Sequence, residues 1–280
     1  MSKRKKIDLP QLVLVLIVLF FLVLTLFPIY VMLVKSVKSP SQEVMNPFGV
    51  SFPFRWKNYG EAWGYIDYTL ANTFLITVSI TVLVLLISSM ASFGFTRFSM
   101  PGKNVLFMMF LAILMIPGVL TLIPQYKLVA LDYNLINSRW GVILPTVAGA
   151  LPMSIFLIKT FFEGMPVDVF EAAKLDGASS FRLYLSISLP LSLPILATQG
   201  LMTFMSAYND YLWPLLILRS ESVKTTAIVL KDLTTTLFNE TNSMSVAIAG
   251  YALACLPMFL IFAFCSKQFV KGMTSGAFKM

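Results

Sequence analysis

Histidine is absent from this sequence, and its only two cysteines, Cys255 and Cys265, both lie in a long apolar run. These absences exclude a metal site built from histidine and cysteine, and they argue against a disulfide. Charge is scarce as well, because charged residues make up 12% of the 280 residues, whereas a soluble domain averages about 25%. Together with a hydrophobic content of 58%, this scarcity predicts a polytopic membrane protein.

The sequence also lacks the G-x-x-x-x-G-K-[S/T] loop that cradles nucleotide phosphates, and it shows no nucleophile–base pair typical of an enzyme. We therefore expect no catalytic site, no metal site and no cofactor bound by this chain. The net charge of +8 does not call for nucleic acid as a partner. Membrane proteins carry basic residues as orientation signals, and no basic run interleaved with aromatic residues follows the first six residues.

Long uncharged runs predict an all-α fold with six transmembrane helices in a lipid bilayer. The first run, residues 12–34, follows the basic cluster at residues 3–6, as the core of a signal peptide would. Its 23 residues exceed the roughly 7–15 of a signal core, and no small-residue cleavage site follows, so we predict a retained helix. The six predicted helices have the approximate limits 13–34, 70–95, 105–125, 140–160, 190–217 and 245–266.

Proline interrupts several of these runs. Pro28 is expected to kink the first helix. We also expect Pro117, Pro145, Pro152 and Pro257 to break their helices, which lipid exposure forbids unless the freed backbone groups face protein or a water-filled path. These breaks suggest a translocation cavity without locating it.

Basic residues predict the orientation of the chain in the membrane. With the N-terminus inside, twelve basic residues fall in inner segments and nine in outer segments. We therefore predict a cytoplasmic N-terminus (1–12), a six-helix domain (13–266) and a cytoplasmic C-terminal tail (267–280). Residues 35–69 and 219–244 are predicted as outer loops.

Residues 171–194 form a charge-bearing interruption with strong local structure. Asp168 can cap a short helix with Glu171 three residues later, which is a capping-box arrangement. Asp176-Gly177 then supplies a stop, because glycine tolerates the left-handed conformation that ends helices. Helices this short are marginal in water, so the segment needs a surface to dock against.

A second short helix follows the glycine. Either Ser179 or Ser180 is expected to cap it, with the helix beginning at Phe181. Further on, Leu189-Pro190 and Pro194 disfavour a continuous helix and predict a bend where this helix meets the fifth membrane helix.

The order and spacing of Glu171-Ala172-Ala173, Asp176-Gly177-Ala178 and Leu189-Pro190 resemble the EAA loop of ABC-importer permeases. In that family the loop, which corresponds to residues 166–190 here, is the cytoplasmic element that couples the membrane subunit to a separate ATPase. The alternative is an ordinary cytoplasmic loop in which Glu171 is favoured only by the helix dipole. The coupling residues that the resemblance implies are Glu171, Ala172, Ala173, Asp176, Gly177, Ala178, Leu189 and Pro190.

Other segments resemble the sugar-importing branch of that family. Residues 97–103 resemble its second cytoplasmic turn, residues 209–214 a helix-5 signature, and residues 268–277 its C-terminus. Together they are most similar to the shorter permease subunit of maltose-type importers, which implies the type I ABC importer fold and a prokaryotic plasma membrane. The implied partners are a longer permease subunit in a heterodimer, two ATP-binding subunits that hold ATP and Mg²⁺, and an extracytoplasmic solute-binding protein.

Asp210 is the one clear ionisable residue within a predicted membrane segment, which makes it a functional candidate by default. Tyr208, Asn209 and Trp213 can add hydrogen bonds and a stacking face for a sugar ring. The alternative is that Asp210 only caps a helix or pairs at a helix contact. Weaker candidates for a substrate path are Asn72, Thr73 and Thr77, which can equally serve helix packing.

The function expected from the resemblance is an ATP-driven, binding-protein-dependent importer of a sugar or oligosaccharide. One alternative is a permease for another solute, such as glycerol phosphate or a peptide. Another is an ion-coupled secondary carrier. Such carriers usually show inverted repeats or several membrane-buried charges, and only Asp210 is visible here.

Overall fold

A computed structural model describes residues 9–241 and 243–277, which contain helices and turns and no β-strand. The basic cluster at 3–6 and residues 278–280 of the predicted tail lie outside this description. The helices of the first half are α1 (Leu9–Ser36), α2 (Pro40–Met45), α3 (Lys57–Arg97), α4 (Lys103–Leu114), α5 (Gly118–Lys127) with a π-helical turn (Leu128–Asp132), and α6 (Arg139–Glu163). Those of the second half are α7 (Val167–Leu175), α8 (Ser180–Leu183) with a π-helical turn (Tyr184–Ser188), α9 (Leu189–Leu191), α10 (Leu193–Tyr208), α11 (Leu212–Ile217), a 3₁₀ turn (Glu221–Val223), α12 (Thr226–Thr241) and α13 (Ser245–Ala277).

In the part of the chain that the structure describes, four helical segments are long and apolar enough to cross a membrane: α1, α3, α6 and Ser245–Ala263 of α13. Two further candidates are bent pairs. Lys103–Leu114 and Gly118–Asp132 meet at 96°, and Ser180–Leu191 and Leu193–Tyr208 meet at 76°. If each pair is one span, the described residues hold the six spans predicted from hydropathy.

Several predicted limits are wrong. Residues 57–69 belong to α3 rather than to a loop, because Asn58, Ala62 and Ile66 recur at helical spacing and are all buried. The predicted outer loop 219–244 contains the helix α12, and α13 continues beyond residue 266 to Ala277. The predicted fifth span ends at Tyr208, before the separate helix α11.

Only one of the four predicted proline breaks is confirmed. Pro117 stands between α4 and α5, where the chain bends, whereas Pro145 and Pro152 lie inside α6 and Pro257 lies inside α13. Pro28 likewise lies within α1, and the helix continues on both sides of it. Proline frees the carbonyl four residues earlier, and a helix continues where that carbonyl finds another donor.

The helices group into two compact units: one holds the described residues up to Ile66 with Leu230–Cys255, and the other holds Asp67–Val229 with the described residues from Leu256 onward.

In the first unit, the Glu43 carboxylate caps the N-terminus of α13. It accepts hydrogen bonds from Ser243 Oγ at 2.9 Å, Met244 N at 3.2 Å and Ser245 Oγ at 3.1 Å. A carboxylate is favoured there because it meets the unpaired N–H groups and the positive end of the helix dipole.

Candidate functional site

The helix α7 carries the glutamate-alanine-alanine sequence. It begins at Val167 after Pro166, and no side chain caps its N-terminus. The predicted capping box of Asp168 and Glu171 is therefore wrong, because Asp168 is already helical and lies in the first turn. Its negative charge is favoured there by the helix dipole.

The predicted stop after α7 is confirmed. Gly177 has a φ of 81°, in the left-handed region that glycine occupies without a Cβ clash. The turn is closed by backbone bonds, in which Asp176 N–H donates to Ala172 O at 3.0 Å and Ala178 N–H donates to Ala173 O at 3.0 Å. This closure matches the pattern of glycine-terminated helices.

The second short helix and the bend are also present. Ser179 Oγ accepts a hydrogen bond from Arg182 N–H at 3.3 Å and caps α8, which begins at Ser180, one residue earlier than expected. The helical path continues to Leu191 and breaks at Ser192, where it turns by 76° into α10. This break lies between Pro190 and Pro194, as the prolines predicted.

A buried aromatic cluster anchors α7 and α8. We call it the anchoring cluster. Phe170 of α7 is only 2% exposed, and the hydroxyl of Tyr184 shares a hydrogen bond of 2.8 Å with Ser89 of α3. The guanidinium carbon of Arg97 lies 3.6 Å from the centroid of the Phe170 ring, a cation–π contact. The members of the cluster are Phe93, Ile158, Phe162, Met165, Phe170, Leu183 and Tyr184.

The opposite face of the two short helices is exposed. Glu171 is exposed, and of the residues that the structure describes none forms an ion pair with its carboxylate. Leu175 is 90% exposed and Phe181 is 64% exposed. A surface that combines free charge with large apolar side chains is typical of a protein-binding site. We call it the coupling face and define it by Glu171, Ala172, Leu175, Asp176, Gly177 and Phe181.

The remaining predicted coupling residues support this face rather than form it. Ala173 and Ala178 are half-buried and pack against the anchoring cluster. Leu189 is also half-buried against the cluster, and Pro190 is exposed beside the bend. The sequence did not single out Arg97 or Tyr184 for the anchoring role. The only sequence signal was that both stand near the ends of apolar runs.

The structure places the predicted substrate residues of the fifth span around the end of α10. Tyr208 is buried and stacks on Phe204 with ring centroids 5.7 Å apart. Asn209 is exposed, and its side-chain amide donates to Met205 O at 2.8 Å. Asp210 lies between α10 and α11 and accepts a hydrogen bond from Trp213 N–H at 3.4 Å, which is a helix-capping contact.

Trp213 is buried in a second cluster, with Ile217 and Val142 among its members. Its indole Nε1–H donates to Gly141 O at 3.1 Å. Gly141 lies four residues before Pro145, so Trp213 supplies the bond that the proline cannot make. This contact explains why α6 continues through Pro145.

Asn72 contacts different residues from Asp210. Its side chain accepts from Arg139 Nη2 at 2.6 Å and donates to the carbonyl oxygens of Ser222 at 2.9 Å and Lys224 at 3.3 Å. Its neighbour Thr73 accepts a hydrogen bond from the Thr226 backbone N–H at 2.8 Å. These two residues thus fasten α3 to the segment before α12. Thr77 is buried, and its hydroxyl has no partner among the described residues.

Comparisons with known proteins agree with this fold and these motifs. Residues 84–273 match the family described as "Binding-protein-dependent transport system inner membrane component". The chain is 31% identical over 276 residues to the arabinooligosaccharides transport system permease protein AraQ of Bacillus subtilis, covering 93% of this chain and 94% of that protein. It is also 31% identical over 268 residues to the maltodextrin transport system permease protein MdxG of the same organism, with 93% and 94% covered.

A solved structure gives the fold independently. The chain resembles a chain of a bacterial ABC transporter involved in the import of the acidic polysaccharide alginate, with a TM-score of 0.81 and 21% identity. The match covers 96% of this chain and 99% of that one.

The fold and the motifs define a multi-pass membrane protein of the importer class. More narrowly, the chain belongs to the family of binding-protein-dependent ABC-importer permeases. This membership confirms the predictions of an all-α membrane fold and of a non-catalytic subunit without its own cofactor. It also means that an ATPase and a solute-binding protein work with this chain.

Proposed function

We propose that the chain is one of the two permease subunits of an ATP-driven importer of a sugar or oligosaccharide. The substrate class is supported by the names of its relatives, which include permeases for arabinooligosaccharides, maltodextrin and melibiose/raffinose/stachyose, all about 30% identical over most of the chain. ATP and Mg²⁺ are held by the separate ATPase. The pore is completed by a longer permease subunit, so that two ATP-binding subunits each engage one coupling loop.

The observation that carries this proposal is the geometry of the loop at residues 166–190. Its buried side is fixed by the anchoring cluster, and its coupling face is exposed with Glu171 unpaired among the described residues. Glu171 contacts a basic group of the ATPase, and the small side chain of Ala172 permits close approach. Gly177 holds the turn between the short helices, and the bend near Leu189-Pro190 passes their movement into α10.

The proposed topology puts this loop in the cytoplasm. Residues 1–12 and the tail 267–280 lie on the same side, and residues 13–266 form the membrane domain. The outer segments, including 219–244, face the extracytoplasmic solute-binding protein. The excess of basic residues in the inner segments supports this orientation.

The proposed substrate path passes the end of α10. Asn209 and Asp210 are the reachable polar groups there, because Asn209 is exposed and Asp210 is half-buried. Tyr208, Trp213 and Asn72 are buried, so we assign them to shaping the path by holding its walls in place.

The proposal is tested by replacing Gly177. Pro at this position cannot adopt a φ of 81°, because its ring fixes φ near −65°, whereas Asn tolerates the left-handed region. In proteoliposomes that contain the complete transporter, we expect Gly177→Pro to abolish sugar uptake and substrate-stimulated ATP hydrolysis. Gly177→Asn should retain most of both activities.

Normal substrate-stimulated hydrolysis with Gly177→Pro would refute the coupling role. The same vesicles test the substrate class and the energy source. Uptake of labelled glycerol phosphate or peptide instead of oligosaccharide would contradict the proposed substrate class. Uptake that needs no ATP and is not inhibited by vanadate would indicate an ion-coupled carrier.

A further inference from the structure

A cleft of about 230 Å³ lies where the ends of three helices meet, apart from the coupling face. Arg97 ends α3, Lys103 begins α4, and Lys159 lies in the last turns of α6. The three basic side chains share the cleft with Glu163 and Asn104, and Phe107 forms part of its wall. We call this site the basic cleft.

Arg97 enters the basic cleft without an acidic partner among the described residues. Its Nη2 donates to Phe162 O at 3.3 Å, and its guanidinium lies over the Phe170 ring. Its Nε is buried and has no hydrogen-bond partner in the described part of the chain. Lys103 makes a long contact of 3.5 Å with Phe98 O. Partly buried cations that contact only neutral groups are costly, and an anion in the cleft would offset that cost.

Lys159 is the one cation of the cleft that pairs with a carboxylate among the described residues. Its Nζ lies 2.6 Å from Glu163 Oε1 and 4.2 Å from the centroid of the Phe107 ring. The side chain of Lys159 is only 16% exposed, whereas that of Glu163 is 54% exposed. The three cations and one carboxylate leave the basic cleft with an excess of positive charge, which favours an anion with several oxygen acceptors.

The position of the cleft selects the kind of anion. α3 and α6 are membrane-span candidates and α4 is the first half of a bent pair that qualifies as one span, so the cleft, at the ends of these helices, lies at the level where they leave the apolar layer. On either side of Phe107, Leu106 is 49% exposed and Met108 is 59% exposed, which gives α4 an open apolar surface next to the residues that line the cleft. A charged headgroup in the cleft would place its acyl chains along this surface. Basic pockets between membrane helices bind anionic lipid headgroups in this way.

We infer that the basic cleft binds the phosphate of an anionic phospholipid, with Arg97, Lys103 and Lys159 as its ligands. Because Arg97 also contacts Phe170 of the anchoring cluster, a bound headgroup stabilises the packing of α7 against that cluster. The lipid site does not depend on the sugar specificity proposed above. A free phosphate ion shares the chemistry of the headgroup, and the test separates the two.

Native mass spectrometry of the full chain in detergent measures the site directly. The probes are phosphatidylglycerol, phosphatidylcholine and inorganic phosphate. We expect phosphatidylglycerol to be retained in preference to phosphatidylcholine, and Lys103→Gln and Lys159→Gln each to weaken its binding about fivefold. The matched control is Lys57→Gln, because Lys57 also pairs with a glutamate four residues on, at 3.2 Å, but is 77% exposed and far along α3 from the cleft.

Equal retention of the two lipids, or unchanged phosphatidylglycerol binding in both cleft variants, would overturn the inference. Displacement of phosphatidylglycerol by millimolar inorganic phosphate would assign the site to a free anion and overturn the lipid assignment. Loss of the lipid preference on adding the ATPase subunit would assign the cleft to an acidic surface of that partner instead. The readout is binding rather than transport, so it can fail while the proposed function stands.

Discussion

At the scale of single residues, buried hydrogen bonds decide which side chains hold the fold and which are free to act. Trp213 was a candidate for stacking on a sugar because it lies near Asp210 in the sequence and its aromatic ring suits a sugar face. In the structure it is 6% exposed, and it donates to Gly141 O. Because Pro145 has no N–H, this carbonyl would otherwise lack its helical partner. A sequence cannot show such a pairing, since it joins residues that are far apart along the chain.

The role of Trp213 is tested by a double-mutant cycle with Pro145. Trp213→Phe should lower the stability of the full chain by about 1–3 kcal/mol beyond the cost of its smaller side chain, because Gly141 O is left unsatisfied. Pro145→Ala restores an N–H at that position. In the Pro145→Ala background, Trp213→Phe should therefore lower the stability by less. The stability lost through the smaller side chain is the same in both backgrounds, so it cancels when they are compared. The measurement is the thermal denaturation midpoint in detergent, and equal losses in both backgrounds would contradict this role.

At the scale of elements, the short helices α7 and α8 depend on the surface beneath them. α7 has 9 residues and α8 has 4, so neither would persist alone in water. Their stability comes from the anchoring cluster, in which Phe170 and Leu183 are each 2% exposed. This arrangement holds the two short helices on one side and leaves the coupling face open on the other, as the proposed coupling to an ATPase requires.

The dependence of α7 on its anchor predicts the effect of Phe170→Ala. Removing a buried phenylalanine costs about 3–5 kcal/mol, which exceeds what a helix of this length can supply by itself. We expect α7 to open locally, so that amides 170–175 lose protection in hydrogen exchange followed by mass spectrometry while α6 keeps its own. The neighbouring Val169→Ala is the control, because Val169 is 44% exposed. Unchanged protection in Phe170→Ala would show that the cluster does not hold α7.

Uniformly apolar helices and the glycine stop were predictable from the sequence, whereas proline alone did not predict a break, because α6 and α13 continue through Pro145, Pro152 and Pro257. Within the described residues, the six apolar runs correspond to span candidates if each bent pair is one span, and the stop at Gly177 and the bend between Pro190 and Pro194 are present. The polar start of α3 and the helix α12 were missed, because hydropathy does not detect amphipathic helices that bury one narrow face. The predicted cap at Asp168 is wrong, because α7 begins at Val167, directly after Pro166, and Asp168 therefore lies inside its first turn.

At the scale of the whole molecule, the chain exposes more apolar surface than water tolerates. No residue in the most apolar stretch of α1 is buried within the chain. Among the described residues, many large side chains of α1 and α4 are about half exposed. This surface is covered by lipid and, in our proposal, by the longer permease subunit. Which parts meet lipid and which meet protein is not encoded in this chain alone, so the sequence could not predict it.

The orientation of the whole chain is the remaining requirement, since the coupling face can meet an ATPase only in the cytoplasm. A matched pair of serines tests it. Ser180 begins α8 in the coupling loop, and Ser222 lies in the 3₁₀ turn of the proposed outer segment, and both are exposed. In a background with Cys255 and Cys265 replaced by alanine, Ser180→Cys and Ser222→Cys each supply a single thiol.

In intact cells, a membrane-impermeant maleimide should label Ser222→Cys and leave Ser180→Cys unlabelled. After the membrane is permeabilised, both should react, which controls for thiol accessibility in the folded chain. The expectation follows from the charge distribution, because twelve basic residues lie in the inner segments against nine in the outer ones. Four of the twelve form the basic cluster at residues 3–6, and charges next to the first helix usually dominate orientation. Labelling of Ser180→Cys in intact cells would show that the loop lies outside the cytoplasm, where no ATPase could bind it. That result would refute both the proposed topology and the proposed coupling role.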